Sequence, residues 1–191
     1  MAPLGTLFTL AVSSLVALSN AHATSNNHAS SACCRGYAKD GSHQETILSN
    51  YLAIWGGDLS LMDTTFHPDV ALSSDRFPSS SGNGSDLTVV TNRTQFTAFV
   101  EKSRNGWESY TFDPIHSLYD DSSIAVRWKM NGVLGANFTL FPTPLKAGSS
   151  VTYNGTDLLI LDECTGLIIH DYIAQDLISY FHAMGLTAIT V

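Results

Sequence analysis

The feature that most constrains this chain is the order of its hydrophobic patterns. From position 107 onward, segments 107–119, 124–132, 137–141, 151–161 and 167–175 all have strand composition. Asp120-Asp121-Ser122 and Asp162-Glu163-Cys164-Thr165-Gly166 supply turns between them. Before that block the period is helical. Ile47, Leu48, Tyr51, Ile54 and Trp55 follow a 3.6-residue spacing behind a capping box at Ser42-His43-Gln44-Glu45, and Gly56-Gly57 stops the run. Asp58 can cap a second short helix that ends before Pro68, and 70–72 reads as a brief strand. Segment 73–86 is a Ser/Gly/Pro-rich loop. Asn92 and Gln95 open a helix with Phe96, Phe99 and Val100 on one face, closed by Gly106, and 177–184 forms a last short helix closed by Gly185. Helices first and a long antiparallel meander after them define an α+β domain, with helices packed on one face of a curved sheet.

The N-terminal segment belongs to export rather than to the fold. Positions 4–18 are apolar or small, no charge precedes Arg35, and Ala21-His22-Ala23 is an A-x-A cleavage pattern. The run is too short for a membrane span, which needs about 20 apolar residues, and it reads as a signal peptide, 1–23. Residues 24–41 form a tail, and 42–191 is the single domain. Four N-x-[ST] sequons, at Asn83, Asn92, Asn137 and Asn154, fit a secreted or secretory-pathway product. Of Cys33, Cys34 and Cys164, two should pair in an oxidising compartment. Neighbouring cysteines would strain their ring, so a bond from Cys33 or Cys34, Cys34 being preferred, to Cys164 is expected, which would staple the tail to the domain. The formal net charge of −8 argues against nucleic-acid binding, which needs clustered cations. No later stretch can span a bilayer. With only 14% charged residues and 44% hydrophobic ones, a packed core is expected, not disorder.

Two groups of residues carry a family resemblance. One is Asn50-Tyr51-Leu52-Ala53-Ile54-Trp55-Gly56-Gly57-Asp58 followed by Phe66-His67-Pro68-Asp69-Val70. The other is Gly155-Thr156-Asp157-Leu158-Leu159, Gly166-Leu167-Ile168, Tyr172-Ile173-Ala174-Gln175-Asp176 and Met184-Gly185-Leu186. In order and spacing they resemble the SnoaL-like polyketide cyclases of the nuclear-transport-factor-two-like superfamily, here as a secreted, fungal-type member. The resemblance implies a cone-shaped, curved antiparallel or mixed sheet wrapped around N-terminal helices. It also implies a pocket without metal or cofactor, and an apolar small-molecule substrate or ligand. In the cyclases an aspartate on the final strand is the acid/base, and the matching position is Asp176. Dimerisation through the outer sheet face is common in the superfamily, so a homodimer is possible.

The candidates have competing physical readings. Asp176 either points into the cone as a base raised by burial or caps the last helix as a stabilised anion. Strand parity puts His170, Tyr172, Ala174 and Asp176 on one face, and Tyr153, Asp157, Leu159 and Leu161 on one face of the preceding strand. Asp157 is therefore a candidate pocket acid. His116 shares a face with Tyr110, Phe112 and Leu118, where it could shuttle a proton. Tyr51, Trp55, Phe66, Trp128, Tyr153 and Tyr172 are expected to line the pocket. The superfamily's epoxide hydrolases use an Asp-Arg-Asp arrangement, but the position two after Arg127 holds Lys129, not an acid. The expected function is acid/base cyclisation or isomerisation of an apolar carbonyl compound. Epoxide hydrolysis and non-catalytic ligand carriage are the alternatives.

Overall fold

The computed structural model describes residues 41–75, 77–78, 85–86 and 89–188. The first helix, α1 (Ser42–Gly56), is followed by a 3₁₀ turn (Leu59–Leu61) and a four-residue helix, α2 (Met62–Thr65). Then come β1 (Phe66–Ser74), the two-residue strands β2 (Phe77–Pro78) and β3 (Ser85–Asp86), and α3 (Arg93–Arg104). The meander is β4 (Trp107–Tyr119), β5 (Ser123–Leu134), β6 (Ser150–Leu161) and β7 (Ile168–Gln175), and α4 (Leu177–Ala183) closes the domain.

Strands β4 to β7 pair antiparallel in chain order, and β1 adds to β7 in parallel, giving the sheet order β1-β7-β6-β5-β4. Helix α1 packs on β4, α3 on β1 and α4 on β6. The face they cover follows strand parity. Ile124, Val126, Trp128, Met130 and Leu134 of β5 are buried, as are Val151, Tyr153, Asp157, Leu159 and Leu161 of β6. From the helices, Ile47, Leu48, Tyr51, Ile54, Trp55, Phe96 and Val100 close the core against them. This is the expected α+β architecture on a curved mixed sheet. No helix among the described residues is long and apolar enough to cross a membrane.

Local signals explain most boundaries. Gly57 takes φ 113°, and its N–H bonds back to Ala53 and Ile54, so α1 stops at the glycine pair. Asn92 accepts from the Gln95 N–H at 2.9 Å, while Gln95 accepts from the Thr91 N–H at 2.9 Å. The second capping box therefore forms, with its return bond one residue earlier than the standard pattern.

Four expectations need correction. The box at Ser42 does not form as read, because the helix starts at Ser42 itself and its N-cap is Gly41, with φ 81°. The brief strand at 70–72 extends over Phe66–Ser74, since parallel pairing to β7 supplies partners on both sides of Val70. Part of the loop at 73–86 is paired, Ser73 and Ser74 with β7 and β2 with β3. Residues 137–141 are not a strand. Phe138 and Phe141 instead sit in a turn and loop, edge-on to Trp107 and to Tyr180 and Phe181, as an aromatic cover. The signal peptide, the tail to residue 40, Cys34 and Asn83 lie outside the described residues.

Candidate functional site

The most unusual chemistry of the domain lies on its covered face, where four elements converge. Tyr51 projects from the inner face of α1, Trp128 from β5, Asp157 from β6 and Asp171 from β7. Tyr51 and Asp171 have no exposed surface, and Asp157 retains only 2%. The Tyr51 hydroxyl oxygen lies 2.7 Å from Asp157 Oδ2 and 2.9 Å from Asp171 Oδ2. The Trp128 indole N–H donates to the same Asp157 Oδ2 at 2.7 Å. A phenol thus bridges two carboxyl groups to which no Lys, Arg or His among the described residues hydrogen-bonds.

Burial penalises charge here. It pushes the Asp157 carboxyl up to about 7, against the opposing pull of the Tyr51 and Trp128 hydrogen bonds. Asp171 is raised well above the usual carboxylate range, first by burial and then by the charge of Asp157. Tyr51 is raised as well, by burial and by both neighbouring acids. Three buried polar atoms in this interior, Asp157 Oδ1, Asp171 Oδ1 and Trp55 Nε1, have no partner among the described residues. Buried polar atoms are normally satisfied, so each of these is an unmet hydrogen-bonding position. Aromatic walls surround them. Tyr51 meets Trp55 and Phe66 at ring separations of 6.3 and 6.0 Å, and Phe112 spans from Trp55 to Trp128 at 6.0 and 5.0 Å.

Of the residues singled out from the sequence, Asp157, Tyr51, Trp55, Phe66, Trp128 and Tyr153 all face this interior. Tyr153 donates to Gln175 Oε1 at 3.0 Å. Three others lie elsewhere. Asp176 is exposed and caps α4, accepting from the Ser179 N–H at 2.9 Å, so its cap reading describes its place. His116 is also exposed. A bulge shifts the β4–β5 register between Pro114 and His116, so His116 pairs with outward-facing Arg127 and no longer follows the parity of Tyr110 and Phe112. Tyr172 is 45% exposed and stacks on His170 at 4.0 Å, because β7 turns Asp171, Ile173 and Gln175 inward instead.

Asp171 is the residue that sequence reasoning missed. It shares a strand face with Ile173 and Gln175, opposite the face of Asp176. Arg127 donates to Thr156 Oγ1 on the outer face of the sheet, so no arginine completes an Asp–Arg–Asp set with the two acids. Among the described residues no three His, Cys, Asp or Glu side chains gather as a metal ion would require.

A curved mixed sheet with helices on one face and buried acids between them defines the class of small α+β cone proteins. The SnoaL-like domain model matches residues 49–170, and the chain belongs to that family. Solved structures agree in fold. TsrD from Streptomyces laurentii superposes with a TM-score of 0.60 at 14% identity, over 76% of this chain and 97% of its own. A proposed SnoaL-like polyketide cyclase from Jannaschia sp. CCS1 gives 0.60 at 17% identity, over 80% and 97%. IdmH from Streptomyces antibioticus, a proposed polyketide cyclase, gives 0.57 at 11% identity, over 74% and 98%. No curated protein matches the chain in sequence.

Proposed function

We propose that this protein is an exported acid/base enzyme that cyclises or isomerises an apolar, carbonyl-bearing small molecule of polyketide type without metal or cofactor. The observation that carries the reading is the buried Asp157–Tyr51–Asp171 bridge with its unpartnered carboxyl oxygens. A carboxylate poised near 7 abstracts a proton alpha to a carbonyl efficiently, because its pKa matches the operating pH. In this reading Asp157 Oδ1 takes the proton, and the Trp55 N–H is a donor for the enolate oxygen that develops. The same bridge moves the role of base from Asp176, which the resemblance implied, to Asp157.

The test needs no knowledge of the natural substrate. Small cyclic ketones in D2O, followed by proton NMR, should exchange their alpha hydrogens faster with the protein than with buffer. Asp157→Asn should remove at least 100-fold of that acceleration, the lower end of general-base effects. Exchange no faster than buffer across the panel would leave a ligand carrier as the better reading. Export is tested by N-terminal sequencing of the secreted product, which should start at Thr24. Pairing of two copies is supported by an apolar row on the outer sheet face, where Leu118, Ala125, Leu158 and Tyr172 follow one another in register, three of them with much of their surface exposed. Leu158→Arg should convert a dimer to a monomer in sedimentation. A wild type already monomeric at tens of micromolar ends that reading.

A further inference from the structure

The hydrogen count at the bridge goes beyond naming a base. A phenol carries one hydrogen, yet the Tyr51 oxygen sits at hydrogen-bond distance from two carboxyl oxygens. It can donate to only one of them. The other contact is a hydrogen bond only if that carboxyl brings its own hydrogen. Two ionised carboxylates would also face each other across a phenol with no compensating cation bonded to either among the described residues. Among the described residues the groups that act on them are Tyr51 from α1, Tyr110 from β4, the Trp128 N–H from β5 and Tyr153 from β6, and all are neutral at neutral pH. Arginines among the described residues are engaged elsewhere: Arg93 donates to the Phe66 carbonyl and pairs with Asp63. Arg104 donates to the carbonyls of Trp55 and Tyr110, and Arg127 lies on the opposite sheet face.

The Trp128 indole favours Asp171 as the acid that holds the proton. An indole N–H only donates, so Asp157 Oδ2 must accept from it, and the shorter Tyr51 contact ends on the same atom. Asp171 has no donor besides Tyr51 among the described residues.

We propose that Asp171 is held as the neutral acid at neutral pH and is a positioning residue, donating to the Tyr51 oxygen so that the Tyr51 hydrogen is fixed on Asp157. The chain of donors then has one direction, from Asp171 through Tyr51 to Asp157, with Trp128 closing it from the far side. The negative charge rests on Asp157, and its free Oδ1 stays open. Burial and the charge of Asp157 push Asp171 up in the same sense. The protonation stands on the hydrogen count and the Trp128 donor. Only its catalytic consequence rests on the proposed function.

Infrared difference spectroscopy near pH 7.5 tests it. The wild type should show the carbonyl stretch of a buried, protonated carboxylic acid, shifted in D2O, and Asp171→Asn should lack it. That variant should also keep its fold and its ketone exchange within about threefold, because the amide N–H replaces the acid O–H as donor to Tyr51. Asp171→Leu removes the donor and should lose most of the exchange. If Asp171→Asn does not fold, the band is read in Asp157→Asn, where it should persist. A wild type without the band, or a band lost in Asp157→Asn and kept in Asp171→Asn, overturns the assignment. A protein that shows the Asp171 band but exchanges no ketone sinks the proposed function and leaves this assignment standing.

Discussion

At the scale of single residues, the bridge depends on side chains that never touch a carboxylate. Gly155 faces Trp128 across the β5–β6 ladder, and a methyl group there would clash with the indole ring that donates to Asp157. Gly155→Ala should therefore cost about 1–3 kcal/mol, as overpacking does. It should also raise Asp157 above its present value near 7, because the hydrogen bond that opposes burial is lost. Thermal unfolding and the pH profile of ketone exchange check the two halves separately. Tyr51→Phe is the sharper test of the bridge. It removes one hydroxyl with almost no change in volume, yet it strips both acids of a partner. A loss of about 1–3 kcal/mol is expected, the penalty of leaving buried polar groups unsatisfied. Stability unchanged from wild type would mean that the bridge is not a structural feature in solution. Asp157 was legible in the sequence because it shares strand parity with Leu159 and Leu161. Asp171 was not, because its partner Tyr51 lies on a helix far away in the chain and no local pattern announces the pairing.

At the scale of elements, the pattern of periods predicts nearly every helix and strand, and the errors have identifiable causes. Period-two reasoning held along β6, which has no bulge until its last pair with β7. It failed on β4, where one bulge exchanges the faces beyond Pro114 and carries His116 to the surface. On β7 neither face is cleanly apolar, so composition could not choose between His170-Tyr172-Ala174 and Asp171-Ile173-Gln175. Residues 137–141 have strand composition because they cover the core, and covering a core does not require pairing in a sheet. Helix α4 gives the clearest test at this scale. Asp176 accepts from the Ser179 N–H, and a seven-residue helix depends strongly on its cap. Asp176→Ala should lower stability by about 1 kcal/mol, while Asp176→Asn, an equally good cap, should be close to neutral. Neither should change ketone exchange. If Asp176→Asn abolishes exchange while the protein stays folded, the base is Asp176 and the assignment to Asp157 fails.

At the scale of the whole molecule, the two buried acids should set how stability depends on pH. An unfolded aspartate loses its proton near pH 3.9, whereas Asp157 keeps one up to about 7 and burial and the charge of Asp157 hold Asp171 well above the usual carboxylate range as well. Between those limits the native state binds more protons than the unfolded state, so stability falls as pH rises. Each fully buried acid contributes at most about 1.4 kcal/mol per pH unit across its window. Asp157's share is complete below about pH 4 and is lost as pH rises through about 7. The surface turns act in the opposite sense. Asp120 and Asp162 are held below the usual carboxylate range by Ser122, Ser123 and Thr165, so what they contribute is present above about pH 4 and lost on acidification. The optimum should therefore fall between pH 4 and 5, more acidic than the usual range for folded proteins. Scanning calorimetry from pH 4.5 to 8 should show Tm declining throughout. Part of any decline above the isoelectric point comes from the net charge of −8, which a variant comparison removes. Asp171→Asn, neutral at every pH, should flatten the slope relative to wild type, while Asp176→Asn should leave it unchanged. A Tm that rises from pH 5 to 8, or a slope identical in Asp171→Asn and wild type, would show that the interior does not hold these protons.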